Sequence, residues 1–225
     1  MGPAATGQFL LELTAVTPAR VDQDHLHTII DSDPSIPDRT TAILAGNDSP
    51  RAPIRRGLER LIQWGADILA VPCNTAHYYI DEFRDELAVP LVHIVDATLD
   101  EAERRSPDGA WLTATAGTLR TRLYQRAAER RGYTLYEPSP AQQEQIMSVI
   151  STVKAGSLAE SGALYRDVIM DLQARRALPT VMACTEIPLA FDHSGLPDEA
   201  AVSSLAALAQ ATYTAATTAV AASRE

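Results

Sequence analysis

The sequence predicts an α/β fold of two pseudo-symmetric, doubly wound lobes with mostly parallel sheets and an active site in the cleft between them. Three observations carry this prediction. Short apolar runs alternate with longer helical patterns, a set of motifs occurs twice in one order, and each of the two cysteines directly follows a predicted strand.

The elements follow in chain order. A helical pattern around Leu58, Leu61 and Ile62 meets Gly65, which serves as its stop. Residues 67–71 then read as a buried strand. Residues 91–95, entered through Pro90, read as a second, Ala110–Ala114 as a third and Thr180–Ala183 as a fourth. Residues 199–223 are Ala-rich with few breakers and predict one helix, whose Ser, Thr and Gln content argues against a membrane span.

The repeat is the more informative signal. Gly2 opens a Gly-x-x-x-Thr loop ending at Thr6, and Gly117 opens another ending at Thr121. Arg39 lies 37 positions after Gly2, and Lys154 lies 37 after Gly117; Cys73 and Cys184 follow those cations by 34 and 30. Gly loop, cation and cysteine therefore recur in register, which implies two similar lobes that each offer one cation and one thiol to a shared cleft. The lobes are expected at 1–96 plus 197–225, with Cys73, and at 97–196, with Cys184. Residues 110–114 form a strand leading into the second Gly loop. No counterpart precedes Met1-Gly2, so lobe 1 is expected to lack its opening strand.

Composition limits the function classes. The chain has 225 residues, 46% hydrophobic and 21% charged, with a formal net charge of -10. So acidic a surface repels phosphate backbones, which argues against nucleic acid as a partner. An anionic substrate would need a few well-placed cations. There is neither a signal-peptide pattern nor an apolar run long enough to span a bilayer, so a reduced, cytoplasmic protein is expected. Asn47-Asp48-Ser49 matches the glycosylation pattern, which matters only on a secretory route.

Cys73 stands in Val-Pro-Cys-Asn-Thr-Ala-His and Cys184 in Met-Ala-Cys-Thr-Glu-Ile-Pro. In open α/β sheets, ligands bind at the carboxyl ends of strands, and a helix starting after each sulfur would favour the thiolate. Asn74, Thr75, Thr185 and Glu186 are placed to orient a substrate carboxylate or ammonium. Buried, inert thiols and a structural disulfide are the alternatives. Two thiols facing one cleft suit racemisation, which removes a proton from one face of a carbon and returns one to the other. Arg39 can grip a carboxylate through its fork and Lys154 can meet a second as a point charge, unless both are solvated surface charges. Two such cations imply a small dicarboxylic amino acid as substrate. Gly2 and Gly117 can offer backbone N–H groups to an anion. His77 and His93 are candidate auxiliary acids or packing residues. His25 and His27 carry no separate signal, and residues 100–105 read as a solvated helix face.

At these motifs the sequence resembles the aspartate racemase branch of the aspartate/glutamate racemase superfamily. The matching pieces are Met1-Gly2-Pro3-Ala4-Ala5-Thr6, Asp24-His25, Ile36-Pro37-Asp38-Arg39-Thr40, Pro72-Cys73-Asn74-Thr75-Ala76, Gly117-Thr118, Lys154 and Cys184-Thr185-Glu186-Ile187-Pro188-Leu189. Glu186 stands where the glutamate branch carries a His. The resemblance implies catalysis by Cys73 and Cys184 without pyridoxal phosphate or any other cofactor, and without a metal. It implies substrate contacts from Arg39 and Lys154, a site lined by Asn74, Thr75, Thr118 and Thr185 beside the Gly2-Pro3 loop, and a homodimer. Family members carry a strand before the Met-Gly-Pro segment, and residues 192–196 match no family form. Alternatives are another reaction of the superfamily, such as maleate cis-trans isomerisation, or a binding relic that has lost turnover. A thiol redox protein is disfavoured, since the close Cys-x-x-Cys spacing is missing.

Overall fold

The computed structural model describes residues 2–222. Met1, in the first Gly-loop motif, and Ser223, the expected end of the last helix, lie outside them.

The chain runs through α1 (Pro3–Val16), α2 (Arg39–Leu44), α3 (Arg51–Gln63), β1 (Leu69–Ala70), α4 (His77–Ile80), β2 (Leu91–Val92), α5 (Ile94–Arg105), β3 (Ala110–Ala114), α6 (Ala116–Arg120) and α7 (Leu123–Arg131). It continues through β4 (Leu135–Tyr136), α8 (Pro140–Lys154), α9 (Leu158–Arg175), β5 (Thr180–Ala183), α10 (Ile187–Phe191), β6 (Ala201–Ser203) and α11 (Ser204–Ala222). The strands form two parallel sheets, a pair β1-β2 and a group of four in the order β4-β3-β5-β6. After β3 the chain moves first to β4 on one side and then to β5 on the other. That reversal of strand order opens a crevice at the carboxyl ends of β3 and β5.

Burial explains which strands read clearly. Every residue of β3 and β5 is buried, as expected for strands covered on both faces. One face packs Ile146, Val149 and Ile150 of α8 and Val168, Ile169 and Leu172 of α9. The other packs Ile94 and Leu99 of α5, Tyr124 of α7 and Leu208 of α11. A third core joins Ala42 of α2, Ile54 and Leu58 of α3 and Tyr79 and Ile80 of α4 around Leu69. The helix stop at Gly65 has φ +94°, open to glycine and strained for other residues.

Three expected boundaries shift. The strand expected at 67–71 is ordered only at Leu69–Ala70, because among the described residues β1 pairs with β2 alone. The strand expected at 91–95 stops at Val92. His93 caps α5, and Ile94 and Val95 bury their side chains as its first turn. The single helix expected at 199–223 begins only at Ser204, because Ala201–Ser203 pairs with the free edge of β5. The C-terminal stretch thus divides: β6 extends the four-stranded sheet, whereas α11 lies across α1 and α5.

Beside β1 lies an apolar groove of about 640 Å³, between Phe9 and Leu13 of α1, Leu58 and Leu61 of α3, and Leu69 itself. Neither cysteine lines it. No described helix is long and apolar enough to cross a membrane.

Candidate active site

Cys73 and Cys184 meet at one small pocket, reached from β1 and from β5. Its walls include Gly2, Asp38, Arg39, Asn74, Thr75, Lys154, Thr185 and Glu186. Both thiols are free, Cys73 half-buried and Cys184 buried, so the disulfide alternative does not hold. The cavity is about 20 Å³, room for roughly one water molecule.

Each cation arrives on a helix terminus. Asp38 caps α2, its Oδ1 accepting from the Thr41 N–H at 2.8 Å and the Thr41 hydroxyl at 3.0 Å, and this fixes Arg39 as the first residue of the helix. The Arg39 guanidinium donates from Nη1 to the carbonyls of Ile36 (3.3 Å) and Pro37 (3.1 Å), while its buried Nε has no partner. Burial acts against its charge, but the neighbouring Cys73 sulfur, Asp38 and Glu186 outweigh burial and hold it protonated. A guanidinium with an unanswered buried N–H is a seat for a carboxylate. Lys154 ends α8, where a cation complements the helix dipole, and its Nζ lies 3.8 Å from Asp38 across the pocket. Burial raises the Asp38 carboxyl, yet the Thr41 hydrogen bonds, Lys154 and Arg39 bring it below the ordinary range.

The loop after Cys73 is held by side chains from far along the chain. Asn74 donates to Ser204 Oγ at 3.0 Å and accepts from the Tyr124 hydroxyl at 2.5 Å. Thr75 joins Thr115 (3.0 Å) and Thr118 (2.9 Å) in a triangle of buried hydroxyls, and Thr115 in turn caps α6. Thr118 therefore stands behind Thr75 and supports the wall. His77 is fully buried, with Nδ1 2.9 Å from the Cys73 carbonyl and Nε2 facing the Ile94 N–H at 3.5 Å. Desolvation, with His93 nearby, lowers its pKa to about 3, so it is a neutral packing residue. His93 pairs with Asp81 at 3.0 Å.

The remaining expected residues fall as follows. Pro3 opens α1 behind Gly2. Gly117 is buried against α2, where an added Cβ would stand 2.9 Å from Thr40 Cα, so it serves close packing between the lobes. The helices after the cysteines are short: a single 3-10 turn follows Cys73, and α10 starts three residues after Cys184. On one side Arg39 stands beside the Cys73 sulfur. On the other, the Cys184 Sγ donates to Glu186 Oε2 at 3.1 Å. Asp38 and Thr115 line the pocket although the sequence does not mark them as site residues, and Glu186, expected only to orient a substrate, lines it beside Cys184. Thr115 had a local signal as a capping residue before the second Gly loop; Tyr124 and Ser204 had none.

The description Asp/Glu/Hydantoin racemase matches residues 1–212. The chain belongs to this racemase family. A broad specificity amino-acid racemase of Bacillus subtilis, RacX, is 27% identical over 199 residues, 86% of this chain and 85% of that protein. The solved Picrophilus torridus aspartate racemase superposes with a TM-score of 0.84 at 28% identity, covering 96% of this chain and 90% of that one. An aspartate racemase homologue from Pyrococcus horikoshii has the same fold (TM-score 0.76, 19% identity, 96% and 95% covered). The racemase described here thus has the two-lobed fold of its relatives.

Proposed function

We propose that the protein racemises a dicarboxylic amino acid, aspartate first among candidates, by a two-base mechanism with Cys73 and Cys184 and without pyridoxal phosphate. The observation that carries this reading is one pocket bearing two free thiols and two cations, each pair split between the two copies of the internal repeat. One thiolate removes the α-proton; the opposite thiol returns a proton to the other face. Arg39 grips one carboxylate through its fork and Lys154 meets the other. Thr75, Thr185 and the backbone beside Gly2 line the space where carbanion charge develops. The similarity to an aspartate racemase and to a broad specificity amino-acid racemase supports the reaction class. On this reading the lobes are 1–96 plus 197–225 and 97–196, with β6 lent to the sheet of the second, and the enzyme is a cytoplasmic homodimer.

The test is incubation with L-aspartate in D₂O without pyridoxal phosphate, following the α-proton by NMR. Deuterium should wash in as D-aspartate forms. Cys73→Ala and Cys184→Ala should each abolish racemisation or restrict exchange to one enantiomer. Exchange that survives both substitutions would sink the two-thiol mechanism. Turnover of maleate but not aspartate would replace racemisation by cis-trans isomerisation.

A further inference from the structure

The pocket is chemically lopsided. Cys73 has the Arg39 guanidinium beside it. Cys184 has a carboxylate: its Sγ donates to Glu186 Oε2 at 3.1 Å, and the Thr185 hydroxyl donates to the same oxygen at 3.4 Å. A sulfur can make that bond only while it keeps its proton, and a thiolate there would face a like charge in a water-poor space. The chain makes room for this contact, since a Cβ at Gly2 would stand 3.2 Å from Glu186 Oε1. The other groups facing Cys184 are Lys154 from α8, and the hydroxyls of Tyr124 from α7 and Tyr165 from α9. Burial first, and the Glu186 charge second, push the Cys184 thiol well up, against the Glu186 backbone N–H and the Lys154 cation. Around Cys73 stand Arg39, then Asp38 beyond it, and the neutral His77 on the Cys73 carbonyl.

We propose, building on the two-thiol reading, that Glu186 sets the resting proton state of the pocket: it holds Cys184 as the protonated thiol, and Cys73, beside Arg39, is the base that acts first. In that turnover the Cα–H bond breaks, its proton goes to the Cys73 sulfur and the electron pair stays on Cα. The Cys184 S–H bond then breaks, its proton forms the new C–H bond on the opposite face and the electron pair stays on sulfur. The enzyme is left with a Cys73 thiol and a Cys184 thiolate beside Glu186. Loss of one proton from Cys73 to solvent and uptake of one by Cys184 restores the starting state, with no net proton change. The resting enzyme is thereby loaded for the enantiomer whose α-proton faces Cys73.

The chain has two cysteines, so full-length protein labelled with [¹³Cβ]cysteine gives two resonances, assigned with Cys73→Ser and Cys184→Ser. Titrated without substrate, the Cys184 signal should stay in its thiol position through the pH range where Cys73 becomes thiolate. Glu186→Gln, which keeps the shape and removes the charge, should lower the Cys184 midpoint by about one pH unit or more. The Cys73 signal should stay in place and report that the pocket is intact. Glu186→Asp, charged but shorter, should fall between. The proposal is overturned if Cys184 ionises first in the unaltered protein, or if neither substitution moves its midpoint. Because no turnover is measured, this result stands or falls separately from racemisation.

Discussion

Arg39 is the residue whose surroundings most directly imply a missing partner, with two backbone carbonyls on Nη1 and a buried Nε left unanswered. Arg39→Lys keeps the charge and loses the fork, so KM for a dicarboxylate should rise about tenfold or more, with kcat changing less. Steady-state kinetics on both enantiomers checks this. His77 makes a separate prediction, for stability. Its folded pKa, about 3, lies below the unfolded value near 6.5, so the folded state binds fewer protons between those limits. Its contribution is therefore whole above pH 6.5 and lost progressively as pH falls toward 3, about 2 kcal/mol by pH 5. Urea midpoints should show this slope, and His77→Gln should flatten it. At this scale the thiols and cations were legible because each occurs twice at matched spacing, and repetition distinguishes a site residue from an ordinary surface charge. Glu186 is unpaired in the repeat and so was read only as a possible orienting group.

Among elements, the contact of α6 with α2 depends on one missing side chain. Gly117→Ala would drive a methyl group against Thr40 backbone, at a cost of about 1–3 kcal/mol in stability. Thermal melting should register it, and the pocket should loosen because Arg39 stands on the same turn of α2. The loop after Cys73 depends similarly on α7. Tyr124→Phe leaves the buried Asn74 oxygen without its donor, which should cost about 1–3 kcal/mol and lower kcat more than it raises KM. The strands were legible in proportion to their burial. Ala110–Ala114 and Thr180–Ala183 are apolar runs covered on both faces and stand as read. Ala201–Ser203 sits at the head of an Ala-rich run with helical composition, and only the open edge of β5 draws it into a sheet. Tertiary pairing overrides local propensity there, as no pattern within those three residues could reveal.

For the whole molecule, two features set the expected behaviour. The cavity between the thiols is about 20 Å³, so under the proposed function the lobes are expected to part as the substrate enters and to close over it. Contacts that cross between the lobes at the pocket include the α2–α6 contact, the Lys154–Asp38 pair and the hydroxyls of Thr75, Thr115 and Thr118. Hydrogen exchange should therefore show protection gained around residues 38–41 and 115–118 on adding substrate. The two-lobe plan itself was legible from the repeat. The narrowness of the pocket was not, because it depends on how the lobes meet. The second feature is the imbalance between the sheets. Cys184 follows β5, a fully buried strand with a neighbour on each side, whereas Cys73 follows a two-residue strand that among the described residues pairs with β2 alone and has an apolar groove along its flank. Heat should loosen the Cys73 side first, so activity should disappear at a temperature several degrees below the midpoint of helix loss seen by circular dichroism. The thinner sheet should then act as a thermal fuse, disconnecting one thiol while the rest of the molecule is still folded, and cooling should reconnect it.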